Sequence, residues 1–156
     1  ARTSLMNFTI RNCLREDLVQ VHELEQICFP GSPVLPMVGL VQYFDLFQNT
    51  FVVTESQGVV VGFAIMGTCS LDPKLGWLLD VAVAESFRAR GCAKAMLKPL
   101  IGRLKEAGVC EIRATVSPKN SASRTMLEKL GFKVFKEVDE YFGKGEARLV
   151  LANLTL

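Results

Sequence analysis

The amino-acid order predicts an α/β (α+β) fold, a mixed sheet with helices on its faces. Two observations carry this. Seven short segments have strand character and four have helical spacing, and the two kinds interleave along the chain instead of forming separate blocks. The length of 156 residues, with 49% hydrophobic and 22% charged, suits one globular domain, taken as residues 6–156. Gly 12 and Pro 6 are too few for a fibrous or disordered chain.

Phe8 to Arg11 alternates apolar and polar residues and suits an edge strand. Leu14, Leu18, Val21, Leu24 or Glu25, and Cys28 then recur at helical spacing until Phe29-Pro30-Gly31 stops the helix. A loop through Pro30, Pro33 and Pro36 precedes a second short helix over Val38–Phe47, with Tyr43, Phe44 and Phe47 on or near one side. Thr50–Glu55 and Val59–Thr68 are β-branched and aromatic runs joined by Ser56-Gln57-Gly58, a hairpin signal. Trp77–Val83 is a further strand after the Asp72-Pro73 turn. Ala93, Met96, Leu97, Leu100, Ile101 and Leu104 keep a helical period up to Gly108, and Pro99 within it removes one backbone donor. Glu111–Val116 is a strand, Asn120–Leu130 a helix ended by Gly131, and Phe132–Val138 and Ala147–Leu154 are closing strands.

Lys+Arg 18 against Asp+Glu 16 leaves a net charge of +2, too small a field for nucleic acid or an anionic membrane to be the obligate partner. Five cysteines, odd in number and never in a C-x-x-C pair, suggest neither a disulfide framework nor a zinc site, and a reducing cytoplasm is the simplest location. The longest apolar run, Val59 to Met66, is far shorter than a membrane span. Met6 followed by Asn-Phe-Thr-Ile-Arg reads as a natural start, which makes Ala1 to Leu5 foreign residues.

The informative segment runs from Asp80 to Lys94, where a strand ends, a turn follows and an amphipathic helix begins at a glycine. The first N–H groups of a helix lack intrahelical acceptors and lie at the positive end of its dipole, so the junction favours a phosphate. Arg88, Arg90, Lys94, Lys98, Arg103 and Lys105 follow with no acidic residue among them, a local basic field in a nearly neutral chain. No G-x-x-x-x-G-K-[ST] and no G-x-G-x-x-G exists, so neither common nucleotide loop applies. A plain solvated basic stripe is the alternative.

The junction does carry R-x-x-G-x-A, as Arg88-Ala-Arg-Gly91-Cys-Ala93, after the strand Leu-Asp-Val-Ala-Val. A second segment, from Asn120 through Glu128 and Leu130 to Gly131-Phe132, is an asparagine-led helix ending in G-F. Together these resemble the GNAT superfamily of N-acetyltransferases over nearly the whole chain. The resemblance implies a mostly antiparallel sheet of about seven strands flanked by about four helices, with acetyl-coenzyme A as co-substrate and no metal. On these residues, Val81, Ala82 and Val83 would pair with the pantetheine arm, Arg88, Ala89, Arg90, Gly91, Cys92, Ala93 and Lys94 would cradle the pyrophosphate, and Asn120 would complete the cofactor site.

Family members usually place a tyrosine just before the residue equivalent to Glu128, to protonate the leaving thiolate. Leu127 stands there instead. Tyr141 is the natural replacement, since it resembles the late tyrosine of ribosomal-protein alanine acetyltransferases, and Glu128 stands where that subfamily keeps a catalytic glutamate. An edge-loop ring and a surface carboxylate paired with Lys129 or Arg124 are the plain alternatives. Asp80 comes from the pattern itself. Strand alternation puts it with Leu78 and Ala82 inside an apolar strand, where a carboxylate needs a partner, a substrate ammonium or a proton to accept. Glu25 is a weaker candidate on the same logic. His22 and Cys92 are read as packing residues.

The expected function is transfer of acetyl to a primary amine by direct attack in a ternary complex, with Asp80 or Glu128 as base. A main-chain N–H between Asp80 and Val83 would stabilise the oxyanion, and Tyr141 would serve as acid. The acceptor is either a small cationic amine, held in an acidic pocket of Asp80, Asp45, Glu25 and the nearby aromatic rings, or a peptide N-terminus; the small amine is preferred. A non-catalytic acyl-coenzyme A sensor is the rival from another class. The expected assembly is a monomer or a homodimer.

Overall fold

The computed structural model describes residues 7–154, so the expectations for Ala1 to Leu5 and for a start at Met6 lie outside the described residues. The strands are β1 (Thr9–Asn12), β2 (Phe51–Ser56), β3 (Val59–Thr68), β4 (Leu75–Val83), β5 (Glu111–Val116), β6 (Lys133–Val138) and β7 (Arg148–Asn153). They form a seven-stranded sheet in the order β1-β2-β3-β4-β5-β7-β6. The helices are α1 (Leu18–Cys28), α2 (Met37–Leu46), α3 (Cys92–Glu106) and α4 (Ser121–Lys129). The sheet is mixed: β4 and β5 pair in parallel, while β1/β2, β2/β3, β5/β7 and β6/β7 are antiparallel. The chain divides into two compact units, one ending at Ile65 and resuming over Asp80–Pro99, the other made of Met66–Leu79 and the chain from Leu100 onward.

In the first unit, Phe51, Phe63, Val21, Leu40, Ile65, Met96 and Leu97 are closed off from solvent. The rings of Phe44, Phe51 and Phe63 run on from one another at 6.2 and 6.4 Å. The hairpin between β2 and β3 turns on Gln57 and Gly58, both at positive φ, a turn whose twist matches that of the flanking strands. The β2/β3 register slips between Thr54 and Glu55. The slip leaves Val61 as an extra residue that packs on Phe87 and Cys92. Helix α1 starts later than its apolar spacing predicted. Leu14 is exposed, and Arg15–Asp17 forms a short 3₁₀ turn instead. The buried Asp17 carboxylate decides this, because it accepts the Leu14 N–H at 2.7 Å and two bonds from Arg11 at 2.6 and 2.9 Å.

Thr54, on β2, is fully buried and its hydroxyl has no hydrogen-bond partner. An unmet buried hydroxyl costs free energy that an apolar isostere avoids. Thr54→Val is therefore expected to stabilise the fold by about 1 kcal/mol, read as a higher midpoint in chemical denaturation; a lower midpoint would mean that the hydroxyl is satisfied in solution.

In the second unit, Ile112 of β5, Leu151 of β7, Phe132 and Leu100 are closed off from solvent. β4 runs on to Val83, but its parallel pairing with β5 covers only Leu75–Trp77. Both glycine stops act as predicted and for one reason. After α3, Gly108 N–H bonds to Lys105 O and Val109 N–H to Leu104 O; after α4, Gly131 bonds to Glu128 and Phe132 to Leu127 in the same pattern. That closure needs a left-handed residue, and both glycines supply it. Pro99 lies on the exposed side of α3, which continues through it. Among the described residues no helix is long and apolar enough to cross a membrane.

Candidate active site

The turn after β4 holds two residues at positive φ, Ala89 at 60° and Gly91 at 82°. The Gly91 carbonyl accepts the first bond of α3, from Ala95 N–H at 2.9 Å. The N–H groups of the first turn of α3 are thus left without intrahelical acceptors, at the positive end of the helix dipole. No atom lies within 4 Å of the place a Gly91 side chain would begin, so an incoming group can reach the main chain there. Arg88, Arg90 and Lys94 are exposed around it. Arg88 donates from Nε to the Val83 carbonyl at 3.0 Å, and Arg90 lies over the Phe87 ring at 5.6 Å. Two arginines are therefore tethered beside an open helix entrance, an arrangement that fits a pyrophosphate. Cys92 is buried against Val61 and Phe87, and burial pushes its thiol up, with Arg90 pulling the other way. That makes it a packing residue, as expected.

On β4 the alternation is as anticipated: Gly76, Leu78 and Ala82 are buried and Asp80 shares their side, while Trp77, Leu79, Val81 and Val83 are half-buried. Asp80 Oδ2 is sealed from solvent without a donor, and so is Glu25 Oε2 on α1. The two side chains reach each other. Asp80 is held well above the usual carboxylate range, first by desolvation and then by the close approach and like charge of Glu25, against which the Val81 N–H works. Glu25 is 4% exposed, and its other oxygen accepts the Leu35 N–H at 3.1 Å, which ties the proline-rich loop to α1. Cys28, on the same helix, donates to the Val83 carbonyl at 3.5 Å. Burial pushes the Cys28 thiol up, and Arg88 opposes that shift.

Asp45 does not join this pair. It is exposed and ion-paired with Arg15, which also covers the Phe44 ring at 5.1 Å, and Phe44 belongs to the core. Tyr43 and Phe47 stack on one another at 5.9 Å. Of the three carboxylates expected in the acidic pocket, Glu25 and Asp80 are the two that meet. His22 is half-buried on α1.

Asn120, Glu128 and Tyr141 lie in the second unit. Asn120 caps α4, its Oδ1 accepting the Ser123 N–H at 3.1 Å. Glu128 is exposed and accepts from Arg124 at 2.9 Å, the i, i+4 ion pair foreseen as its plain alternative. Leu127 is 2% exposed, a core position with no proton to give. Tyr141 is half-buried, edge-on to Phe142 at 4.8 Å, in a turn closed by hydrogen bonds from Phe142 N–H to Glu146 O and from Gly143 N–H to Glu140 O. Glu25 falls on the inward stripe with Leu18, Val21 and Cys28, where a carboxylate is as costly as in a strand. Among the described residues no three His, Cys, Asp or Glu side chains are grouped to hold a metal ion.

The family model of the acetyltransferase (GNAT) family matches residues 18–132. An N-alpha-acetyltransferase of Sulfurisphaera tokodaii is 27% identical over 155 residues, covering 93% of this chain and 92% of that one. An L-2,4-diaminobutyric acid acetyltransferase of Virgibacillus pantothenticus is 34% identical over 117 residues, covering 75% and 70%. The fold is shared with Ard1 from Thermoplasma volcanium at a TM-score of 0.86, with 20% identity and coverage of 96% and 98%. The matched stretch takes in the strand, the open turn at Gly91 and the helix behind it, and the chain belongs to the acetyltransferase (GNAT) family. It is an enzyme, an N-acetyltransferase.

Proposed function

We propose that this enzyme moves acetyl from acetyl-coenzyme A to the primary amine of a small cationic acceptor by direct attack in a ternary complex. One observation carries the choice of acceptor: two carboxyl groups, Asp80 and Glu25, are buried together in the first unit with an unmet oxygen each. A carboxylate in such surroundings favours an ammonium group over a neutral acceptor. The relative that acts on L-2,4-diaminobutyric acid supports the reading.

Acetyl-coenzyme A supplies the activated acyl group. The turn from Arg88 to Lys94 holds its pyrophosphate, through Gly91, Cys92 and Ala93 main chain and the Arg88, Arg90 and Lys94 charges. Val81, Ala82 and Val83 lie beyond the part of β4 paired with β5, and their main chain lines the pantetheine arm, with one N–H of this stretch as oxyanion donor. Asn120 keeps its Nδ2 group for the cofactor while its oxygen caps α4. Asp80 takes the proton of the acceptor amine. Glu128, solvated and held by Arg124, is the lesser base. Tyr141 returns a proton to the thiolate. The cysteines, all free thiols, suit a reducing cytoplasm, and the working form is a monomer or a homodimer.

Transfer to peptide N-termini is the second reading, favoured by the N-alpha-acetyltransferase relative. A thiol-release assay on a mixed panel separates the two. Diamines and diamino acids are expected to give the highest kcat/KM; activity confined to N-terminal peptides would overturn the small-amine acceptor and leave the transferase standing.

A further inference from the structure

Two buried oxygens that can only accept hydrogen bonds, Glu25 Oε2 and Asp80 Oδ2, stand without donors on adjacent elements of one unit. Buried acceptors are rarely left so, and two ionised carboxylates in contact repel. One proton placed between them satisfies both atoms and leaves the pair a single negative charge. Among the described residues, the groups that act on Asp80 are Glu25 from α1 and the Val81 N–H on its own strand. Arg88, the nearby positive charge, is turned to the Val83 carbonyl and acts on Cys28, which both carboxyls also affect.

We propose that Glu25 and Asp80 work as one acid, a carboxyl pair that shares a single proton in the free enzyme and releases it to bulk water when the acceptor's ammonium takes its place. The ammonium N–H groups then satisfy the two oxygens, and the pair, now carrying two negative charges beside one positive, accepts the proton that leaves the amine as its C–N bond forms. Glu25 is the positioning partner: it sets the proton affinity of Asp80. Its Oε1 also ties Leu35 to α1, so the occupied pair and the loop 29–36 are joined through one side chain. This rests on the small-amine reading above.

The assignment predicts a protonated carboxyl at neutral pH, which infrared difference spectroscopy of the ligand-free protein sees as a C=O stretch. The band should vanish in Asp80→Asn. In Glu25→Gln, which keeps an oxygen for the Leu35 N–H, ionisation of Asp80 should move to lower pH, because the like charge is gone. The acid limb of kcat/KM should move with it, while unfolding midpoints stay near the wild type. Absence of the band at pH 7, or an acid limb unmoved in Glu25→Gln, would overturn the shared proton. A band that is present and shifts as stated, in a protein that acetylates no small amine, would overturn only the acceptor reading.

Discussion

Gly91→Trp is expected to fold and to bind acetyl-coenzyme A at least about 100-fold more weakly than the wild type. The estimate follows from two or more charge-assisted hydrogen bonds of about 1.5 to 3 kcal/mol each between main-chain N–H groups and phosphate oxygens. The indole would stand where those oxygens approach. Space is not the obstacle to folding, since nothing lies within 4 Å of the new Cβ. The positive φ of 82° is the cost, about 1 to 2 kcal/mol for an L-residue. Gly91→Ala pays that same cost with little bulk, so the two variants should melt alike and differ in affinity. Calorimetric titration decides the matter: unaltered affinity in Gly91→Trp would place the phosphates elsewhere.

Asp80→Asn is expected to lower turnover by about 100-fold or more, the scale of a lost general base, with cofactor affinity nearly unchanged. Asparagine keeps the shape and can still accept the Val81 N–H, so a loss of rate without a loss of binding isolates proton transfer from packing. Tyr141→Phe is expected to lose turnover on a similar scale through the acid step, because only the hydroxyl is removed and the ring contact with Phe142 stays. Normal turnover in both variants would remove both residues from the chemistry.

How legible each part was follows from the range of the interaction that sets it. The hairpin at Gln57-Gly58, the stops at Gly108 and Gly131, and the cap at Asn120 are decided within a few residues, and each stands where its sequence signal fell. Leu14 misled the helix start because its spacing fitted the stripe, whereas the actual boundary depends on Arg11 and Asp17 closing a local bond network that periodicity does not register. The Arg88 to Ala93 turn was legible as a motif and as a strand-to-helix junction, two independent signals from contiguous residues.

The order of elements, the open turn at Gly91 before α3 and a carboxylate in an apolar strand are properties that the amino-acid order settles by itself, because backbone periodicity, glycine and helix termini act locally. Which carboxylates meet is a tertiary matter. Asp80 and Glu25 come together only because the fold brings α1 to the end of β4, where Cys28 also reaches the Val83 carbonyl, and Asp45 pairs at the surface with Arg15, a partner far from it in the chain. Charges choose partners through space, at a cost fixed by burial that the packed fold alone decides.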